Sequence, residues 1–219
     1  MRNILVGIGA AVLGAIVVIE YWGMRSDEVF DYYYDTECLI DYAIEQGLAP
    51  QNVEQREALL SQRKIVTTIG VNVISSQEIM SSLLRLNGED PQAPIDLYLT
   101  TLGGWEIDAF AIIDVMCSLE APVNVHAVGE SHSAGLMLLA AGTGERIVHP
   151  YTILGFHTAA DDEDEIYLHR YQNFWREKAK LPESWIERLD DEMLYFTAEQ
   201  AIEYAVADRI ALSSAPPQR

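Results

Sequence analysis

One short segment, residues 129–135 with the sequence GESHSAG, most constrains how this chain can fold. Apolar and β-branched residues precede it over 123–128, which predicts a buried strand, and the apolar run over 136–141 predicts a buried helix. The segment between them is then a tight turn that presents Ser133 at a helix N-terminus, where developing negative charge is favoured. Serine also caps helices routinely. Ser133 is therefore either a nucleophile or an N-cap, and this segment alone leaves both interpretations open.

The chain from about residue 64 onward alternates between strand-like and helix-like patterns. Strands are predicted over 65–73, 95–100, 123–128, 146–149 and 152–156, and helices over 75–86, 106–119, 136–141, 166–179, 182–194 and 197–204. Ser75 or Ser76 is the expected cap of the first helix and Thr197 that of the last. Cys117 lies in an apolar helical stretch, so we expect it in the core. The alternation predicts an α/β domain with a largely parallel sheet.

The first 24 residues form a candidate membrane segment. Residues 4–19 are almost unbroken in their apolar character, and Tyr21 and Trp22 after them suit a membrane interface. We expect an uncleaved single-pass anchor, with a cleaved signal peptide as the alternative. Arg2 and Arg25 flank the run, so the basic residues leave the side of the catalytic domain undecided. Residues 25–63 then read as a helical linker or oligomer contact, 64–214 as the globular domain and 215–219 as a tail.

The charge balance excludes some partners. The chain has 14 lysines and arginines against 34 aspartates and glutamates, a net charge of -20. Binding to nucleic acid through phosphate contacts needs basic residues, so we expect no nucleic-acid partner. Neither the two cysteines nor the five histidines show zinc-ligand spacing, and we expect no metal and no cofactor.

Three features could together form a catalytic site. Ser133 is the first. The second is the pair Gly103 and Gly104, which follows a predicted strand and could expose backbone N–H groups to an oxyanion, or could simply make a turn. The third is His157 at the end of another predicted strand, where a histidine can serve as general base to a serine or can be a partly buried polar residue.

These features occur within motifs that make the chain similar to a known family. The motifs are IDLYLTTLGG over 95–104, GESHSAG over 129–135, ILGFH over 153–157 and FTAEQAIEYAVAD over 196–208. In this order and spacing they resemble the Clp protease proteolytic subunit, from about Ile65 to Leu212. The resemblance implies a serine peptidase with a crotonase-type ββα superhelix fold, assembled into rings with the active sites inside a chamber.

The resemblance also implies residue roles. Ser133 would be the nucleophile and His157 the general base, with the backbone N–H groups of Gly103, Gly104 and Ala134 forming the oxyanion hole. The family's third triad residue is an aspartate, and the matching position holds Met193. A shift in register would bring Asp191 to His157, with Glu192 or Asp190 as alternatives, or the enzyme works as a dyad.

The sequence therefore predicts a membrane-anchored serine endopeptidase that cleaves peptides or unfolded proteins through an acyl-enzyme on Ser133. A homo-oligomeric ring is expected, and the resemblance leaves an ATPase partner open. The alternatives are a catalytically silent structural subunit, which Met193 favours, and a membrane protease like signal-peptide peptidase, which would need a lysine as base. An acyl-CoA enzyme of the crotonase type is a further alternative, since it uses the same oxyanion geometry.

Overall fold

The computed structural model describes residues 53–158, 165–188 and 192–211. The chain divides into two compact units, residues 1–56 and 57–219, and the described residues lie almost entirely in the second. The predicted anchor over residues 1–24 and most of the linker lie outside the described residues and stay predictions. None of the helices within the described ranges has the length and apolar character required to cross a membrane.

Seven helices and seven strands are found in the described part of the chain. The strands are β1 (Lys64–Thr67), β2 (Ile95–Thr101), β3 (Val123–His132), β4 (Arg146–Val148), β5 (Ile153–Phe156), β6 (Leu194–Phe196) and β7 (Arg209–Ile210). The helices are α1 (Val53–Leu60), α2 (Val73–Glu89), α3 (Glu106–Ser118), α4 (Ala134–Ala140), α5 (Glu165–Lys178), α6 (Glu183–Ile186) and α7 (Ala198–Glu203). Strands and helices alternate as predicted, and the fold is α/β.

The sheet contains parallel strands in the order β1-β2-β3-β4-β7, and β3 also pairs with β5 near its carboxyl end. The first half of β3 pairs with β4 through residues such as Val125, whereas its last three residues pair with β5. The only antiparallel pairing found in the described sheet joins β5 to β6. Because β3 is long and changes partner along its length, the ends of β2, β3 and β5 lie side by side.

The core lies between the sheet and the helices packed on it. Alternate residues of β2 are buried, namely Ile95, Leu97, Leu99 and Thr101, as expected for a strand with one face toward a core. All seven residues of α4 are buried. Such a helix, apolar on every side, is stable only inside a protein. The buried side of α5 contributes to an aromatic cluster, in which Trp175 makes an edge contact with Phe156 of β5 at a centroid distance of 5.2 Å.

The first predicted strand is shorter than expected. β1 ends at Thr67, and Val71 forms only an isolated bridge with Gly104. The cap of α2 is Asn72, not Ser75 or Ser76, since Asn72 Oδ1 accepts bonds from the backbone N–H groups of Ile74 (2.9 Å) and Ser75 (3.1 Å). Ser75 contributes the other half of this capping box, with its Oγ accepting the Asn72 N–H at 2.9 Å.

Two other expectations are wrong. Among the described residues of the predicted helix over 182–194, only Glu183–Ile186 are helical, and Leu194 begins β6, because pairing with β5 outweighs local propensity. Cys117 is exposed, because α3 turns Ala109, Ile112, Ile113 and Met116 toward the core. The cysteine directly after Met116 lies about 100° around the helix and faces away.

Candidate active site

Three adjacent parallel strands bring the predicted site residues together. β2 and β3 are in register at Thr101 and Ser131, and β3 and β5 are in register at His132 and Gly155. The chain segments that leave the carboxyl ends of these strands therefore emerge at one place. In open α/β sheets this end of the strands is where ligands bind.

Ser133 occupies a strained turn between β3 and α4. Its backbone has φ 51° and ψ −119°, a conformation that residues other than glycine rarely adopt. Its N–H donates to the carbonyl of Gly155 at 2.8 Å, which ties the turn to β5. The side chain makes no capping bond to α4, and Ser133 Oγ lies 2.7 Å from His157 Nε2. The strained backbone thus directs the hydroxyl to a histidine and away from the helix.

The hydrogen-bond partner of the second ring nitrogen of His157, Nδ1, indicates which tautomer the ring adopts. Nδ1 lies 2.9 Å from the backbone carbonyl oxygen of Thr158. A carbonyl oxygen can only accept, so Nδ1 carries the hydrogen in this bond. Nε2 of the neutral ring is then the acceptor, and it takes the hydrogen bond from the Ser133 hydroxyl. This is the arrangement that a general base requires.

Tyr171 supports the histidine from α5. Its hydroxyl donates a short hydrogen bond to the backbone carbonyl of His157. The side chain is buried, and burial raises the pKa of the phenol well above its ordinary value, so the hydroxyl remains a donor. Sequence reasoning missed this contact. Tyr171 lies within a predicted helix with no motif around it, and nothing in the sequence distinguishes it from an ordinary core tyrosine.

Gly103 and Gly104 form a turn that lies against Ser133. Both have positive φ, 109° and 148°, and a Cβ on Gly103 would stand 2.8 Å from Ser133 Cβ. The Gly103 N–H donates to Thr101 Oγ1 at 3.1 Å and is therefore already engaged. The bonds of the Val71 bridge come from the N–H groups of Val71 and Trp105, and no acceptor for the Gly104 N–H is found among the described residues. The prediction that Gly103, Gly104 and Ala134 donate to an oxyanion stays a prediction, and of the two glycines Gly104 has the N–H that is not already engaged.

Of the three predicted acids, only Glu192 lies among the described residues. Asp190 and Asp191 lie outside the described residues, so the prediction of Asp191 stays a prediction. Glu192 is exposed and pairs with Arg188, with 2.6 Å between Oε2 and Nη2. Met193 lies near Gly155, because a Cβ on that glycine would stand 2.8 Å from Met193 Sδ.

His132 lies beside the site but takes no part in the Ser133 contact. Its ring is buried, makes an edge contact with Tyr195 at a centroid distance of 5.4 Å, and has no partner for Nε2 within the described structure. Burial lowers the pKa of this imidazole. Within the described ranges no group of three histidine, cysteine, aspartate or glutamate side chains is arranged to hold a metal ion.

Comparison with known proteins places the chain in a family. The family model for Clp protease matches residues 48–214. The chain is 32% identical over 174 residues to the ATP-dependent Clp protease proteolytic subunit 2 of Mycolicibacterium paratuberculosis, covering 73% of this chain and 87% of that protein. It is 31% identical over 169 residues to the ATP-dependent Clp protease proteolytic subunit 1 of Streptomyces avermitilis, with 71% and 78% covered. With a family match over most of its length, the chain belongs to the Clp protease family, a family of serine peptidases.

Proposed function

We propose that this protein is a serine endopeptidase that hydrolyses peptide bonds through an acyl-enzyme on Ser133, with His157 as general base. The observation that carries the proposal is the 2.7 Å contact between Ser133 Oγ and His157 Nε2. It occurs on a strained turn at the carboxyl ends of three parallel strands, and the Nδ1 bond to a carbonyl leaves Nε2 free to accept a proton.

The acylation step follows from these positions. Ser133 Oγ attacks the substrate carbonyl carbon while its proton moves to His157 Nε2. The imidazolium so formed then protonates the leaving amine, and the peptide bond breaks. Water repeats the sequence on the ester: His157 takes a water proton, the hydroxide adds, and Ser133 leaves with a proton from the ring.

The oxyanion of each tetrahedral intermediate needs hydrogen-bond donors. The Gly104 N–H and the Ala134 N–H are the donors that we propose. Gly104 belongs to the turn held against Ser133, and Ala134 follows the nucleophile at the start of α4. Removing one such donor typically costs about 2.7–4 kcal/mol of transition-state stabilisation.

The substrate class and the assembly are proposed from the family. An extended peptide or an unfolded protein is the proposed substrate, placed as an added strand beside the Gly103–Gly104 turn. The curated relatives are named as ATP-dependent proteolytic subunits, and we propose a ring of identical subunits for this chain, with an ATPase as a candidate partner. The proposed membrane attachment through residues 1–24 is supported by the apolar run over 4–19.

Labelling with a fluorophosphonate probe tests the nucleophile. We expect the full chain to be labelled, Ser133→Ala to be unlabelled, and Ser81→Ala to be labelled like the wild type. Ser81 is a suitable control because its hydroxyl is exposed and, in the part of the chain that the structure describes, bonds to the Glu78 carbonyl within α2. Labelling of Ser133→Ala at the wild-type rate would show that the reactive serine lies elsewhere.

A silent structural subunit is the second candidate, because Met193 stands at the family's aspartate position. It predicts a folded, assembled protein that neither reacts with the probe nor cleaves peptides. The alternative with a lysine base has less support, since the partner of Ser133 Oγ is an imidazole and, within the described chain, no lysine bonds to Ser133.

A further inference from the structure

We propose that the backbone carbonyl of Thr158 is the group that orients His157 for catalysis, and that Tyr171 is the positioning residue that holds this carbonyl in place. The inference rests on the proposed function, in which His157 is the general base. It assigns the task of the family's aspartate to a main-chain oxygen and a tyrosine from α5.

The first step concerns the acceptor. An orienting group must bind the hydrogen on Nδ1 and thereby leave Nε2 as the base. The Thr158 oxygen does this at 2.9 Å. The Met193 side chain has no oxygen that could accept, and the Glu192 carboxylate pairs with Arg188. Within the described residues the carbonyl is therefore the acceptor that selects the reactive tautomer.

The second step concerns how the carbonyl is held. The position of the Thr158 oxygen relative to the ring depends on the backbone torsions of His157 and Thr158. The Tyr171 hydroxyl bonds to the carbonyl oxygen of His157, which fixes the orientation of the peptide that leads into Thr158. The Thr158 side chain is buried, which restricts the movement of the Cα that carries the Thr158 carbonyl. Together the two contacts restrict the backbone on both sides of the Thr158 Cα–N bond and so favour the position of the Thr158 oxygen opposite Nδ1.

The third step concerns the rigidity of Tyr171 itself. Its ring is buried in the aromatic cluster, 6.1 Å from Trp175 and 6.4 Å from Phe156 between centroids. Phe156 directly precedes His157 at the end of β5. The tyrosine therefore packs against the same strand whose next residue it binds, and its hydroxyl cannot leave without disturbing the cluster.

Tyr171→Phe tests the proposal because it keeps the ring and removes only the donor. We expect kcat for a fluorogenic peptide to fall about 3- to 10-fold, the effect of one ordinary hydrogen bond on the reactive orientation. KM is expected to stay within about twofold of the wild type, since the hydroxyl is bonded to the main chain and lies within the core. Tyr204→Phe is the matched control, because Tyr204 also packs among aromatic rings, 5.2 Å from Trp185.

A spectroscopic measurement separates positioning from general support of the structure. Proton–nitrogen correlation spectra of the full chain with ¹⁵N-labelled histidine report which ring nitrogen carries the hydrogen, and His157→Gln identifies the His157 signals. We expect the Nδ1–H tautomer in the wild type and in Tyr204→Phe, and a mixture of both tautomers in Tyr171→Phe. The wild-type spectrum tests the Nδ1–H tautomer even if Tyr171→Phe does not fold, and the Asp191→Asn variant then separates a carbonyl acceptor from a carboxylate.

The overturning results are distinct from those for the proposed function. An Nε2–H tautomer of His157 in the wild type, or wild-type kcat and tautomer in a folded Tyr171→Phe, would overturn the inference. A loss of kcat beyond about 100-fold in Asp191→Asn would do so as well, since it would assign the orienting role to a carboxylate. Failure of the wild type to react with the fluorophosphonate probe would instead count against the proposed function, while the tautomer would still report how His157 is oriented.

Discussion

Gly104 offers a quantitative test of how the proposed oxyanion donor is built. Its φ is 148°, and a Cβ at this position would stand 2.0 Å from the carbonyl oxygen of Val71. In Gly104→Ala the turn has to move away from Val71. Two backbone bonds depend on the present distance, Val71 N–H to Gly103 O at 2.8 Å and Trp105 N–H to Val71 O at 2.8 Å.

The cost of Gly104→Ala can be estimated from these contacts. Two lost bonds at about 1 kcal/mol each, with backbone strain of about 1–3 kcal/mol, lower the free energy of unfolding by about 3–5 kcal/mol. Displacing the donor from the oxyanion slows the labelling of Ser133 by about 100- to 1,000-fold. Urea unfolding followed by tryptophan fluorescence measures the first quantity. The second-order rate of fluorophosphonate labelling, in buffer where the variant is folded, measures the second.

Gly88→Ala is the matched control for the glycine substitution. Gly88 lies in α2, and a Cβ there would meet no atom within 4 Å. Replacing a helical glycine by alanine stabilises a helix by about 0.5–1 kcal/mol, so this variant is expected to unfold at higher urea and to label at the wild-type rate. If Gly104→Ala keeps both the urea midpoint and the labelling rate of the wild type, the inferred role of the turn is refuted.

The remaining predictions concern pH and the position of the family's aspartate. Burial lowers the pKa of three histidines, so the unfolded chain binds protons at a higher pH than the folded chain does. The free energy of unfolding, measured by urea titration, is therefore expected to fall as pH drops below about 6.5, by at most about 1.4 kcal/mol per pH unit for each histidine. The three are His126, His132 and His149. His149→Gln is expected to weaken the fall in the free energy of unfolding between pH 7.5 and 5.5, and a fall as steep as that of the wild type would contradict a role for His149. His169→Gln is the control, because His169 is exposed. Met193→Asp is expected to leave the kcat for peptide cleavage within about threefold of the wild type, because the hydrogen on His157 Nδ1 is already bound to the Thr158 carbonyl. Met193→Asn is the control. A rise in kcat of more than tenfold in Met193→Asp but not in Met193→Asn would show that the His157 ring turns to bind the new carboxylate.

Much of the fold is predictable because the relevant signals are local. The alternating burial of β2, the helix after the Gly103–Gly104 turn and the Thr197 cap all depend on residues a few positions apart. β6 is different. Leu194–Phe196 becomes a strand only because β5 provides a partner about 40 residues earlier in the chain, and no local pattern encodes that pairing.

The candidate site shows the same division. Ser133 and His157 are predictable, since each follows an apolar strand and carries a side chain suited to one role. The sequence does not predict which of the two glycine N–H groups is available to an oxyanion, because this depends on the hydrogen bond from the Gly103 N–H to Thr101 Oγ1. The acceptor on His157 Nδ1 is a main-chain oxygen, which every residue possesses and no sequence motif marks. Such contacts are specified by the path of the backbone, and only the structure reveals them.

The nature of that acceptor bears on whether a chain without the family's aspartate can be active. In a serine protease triad, replacing the aspartate by an amide lowers kcat about 10⁴-fold, chiefly because the histidine adopts the wrong tautomer. The Thr158 carbonyl holds the Nδ1–H tautomer and thus avoids this part of the loss. It is neutral, however, and gives the imidazolium less stabilisation than a carboxylate would. Because this chain has Met193 where the family has an aspartate, we expect a peptidase that retains its reactive serine but is slower than one with the aspartate. Methionine at this position is not by itself a reason to regard the chain as silent.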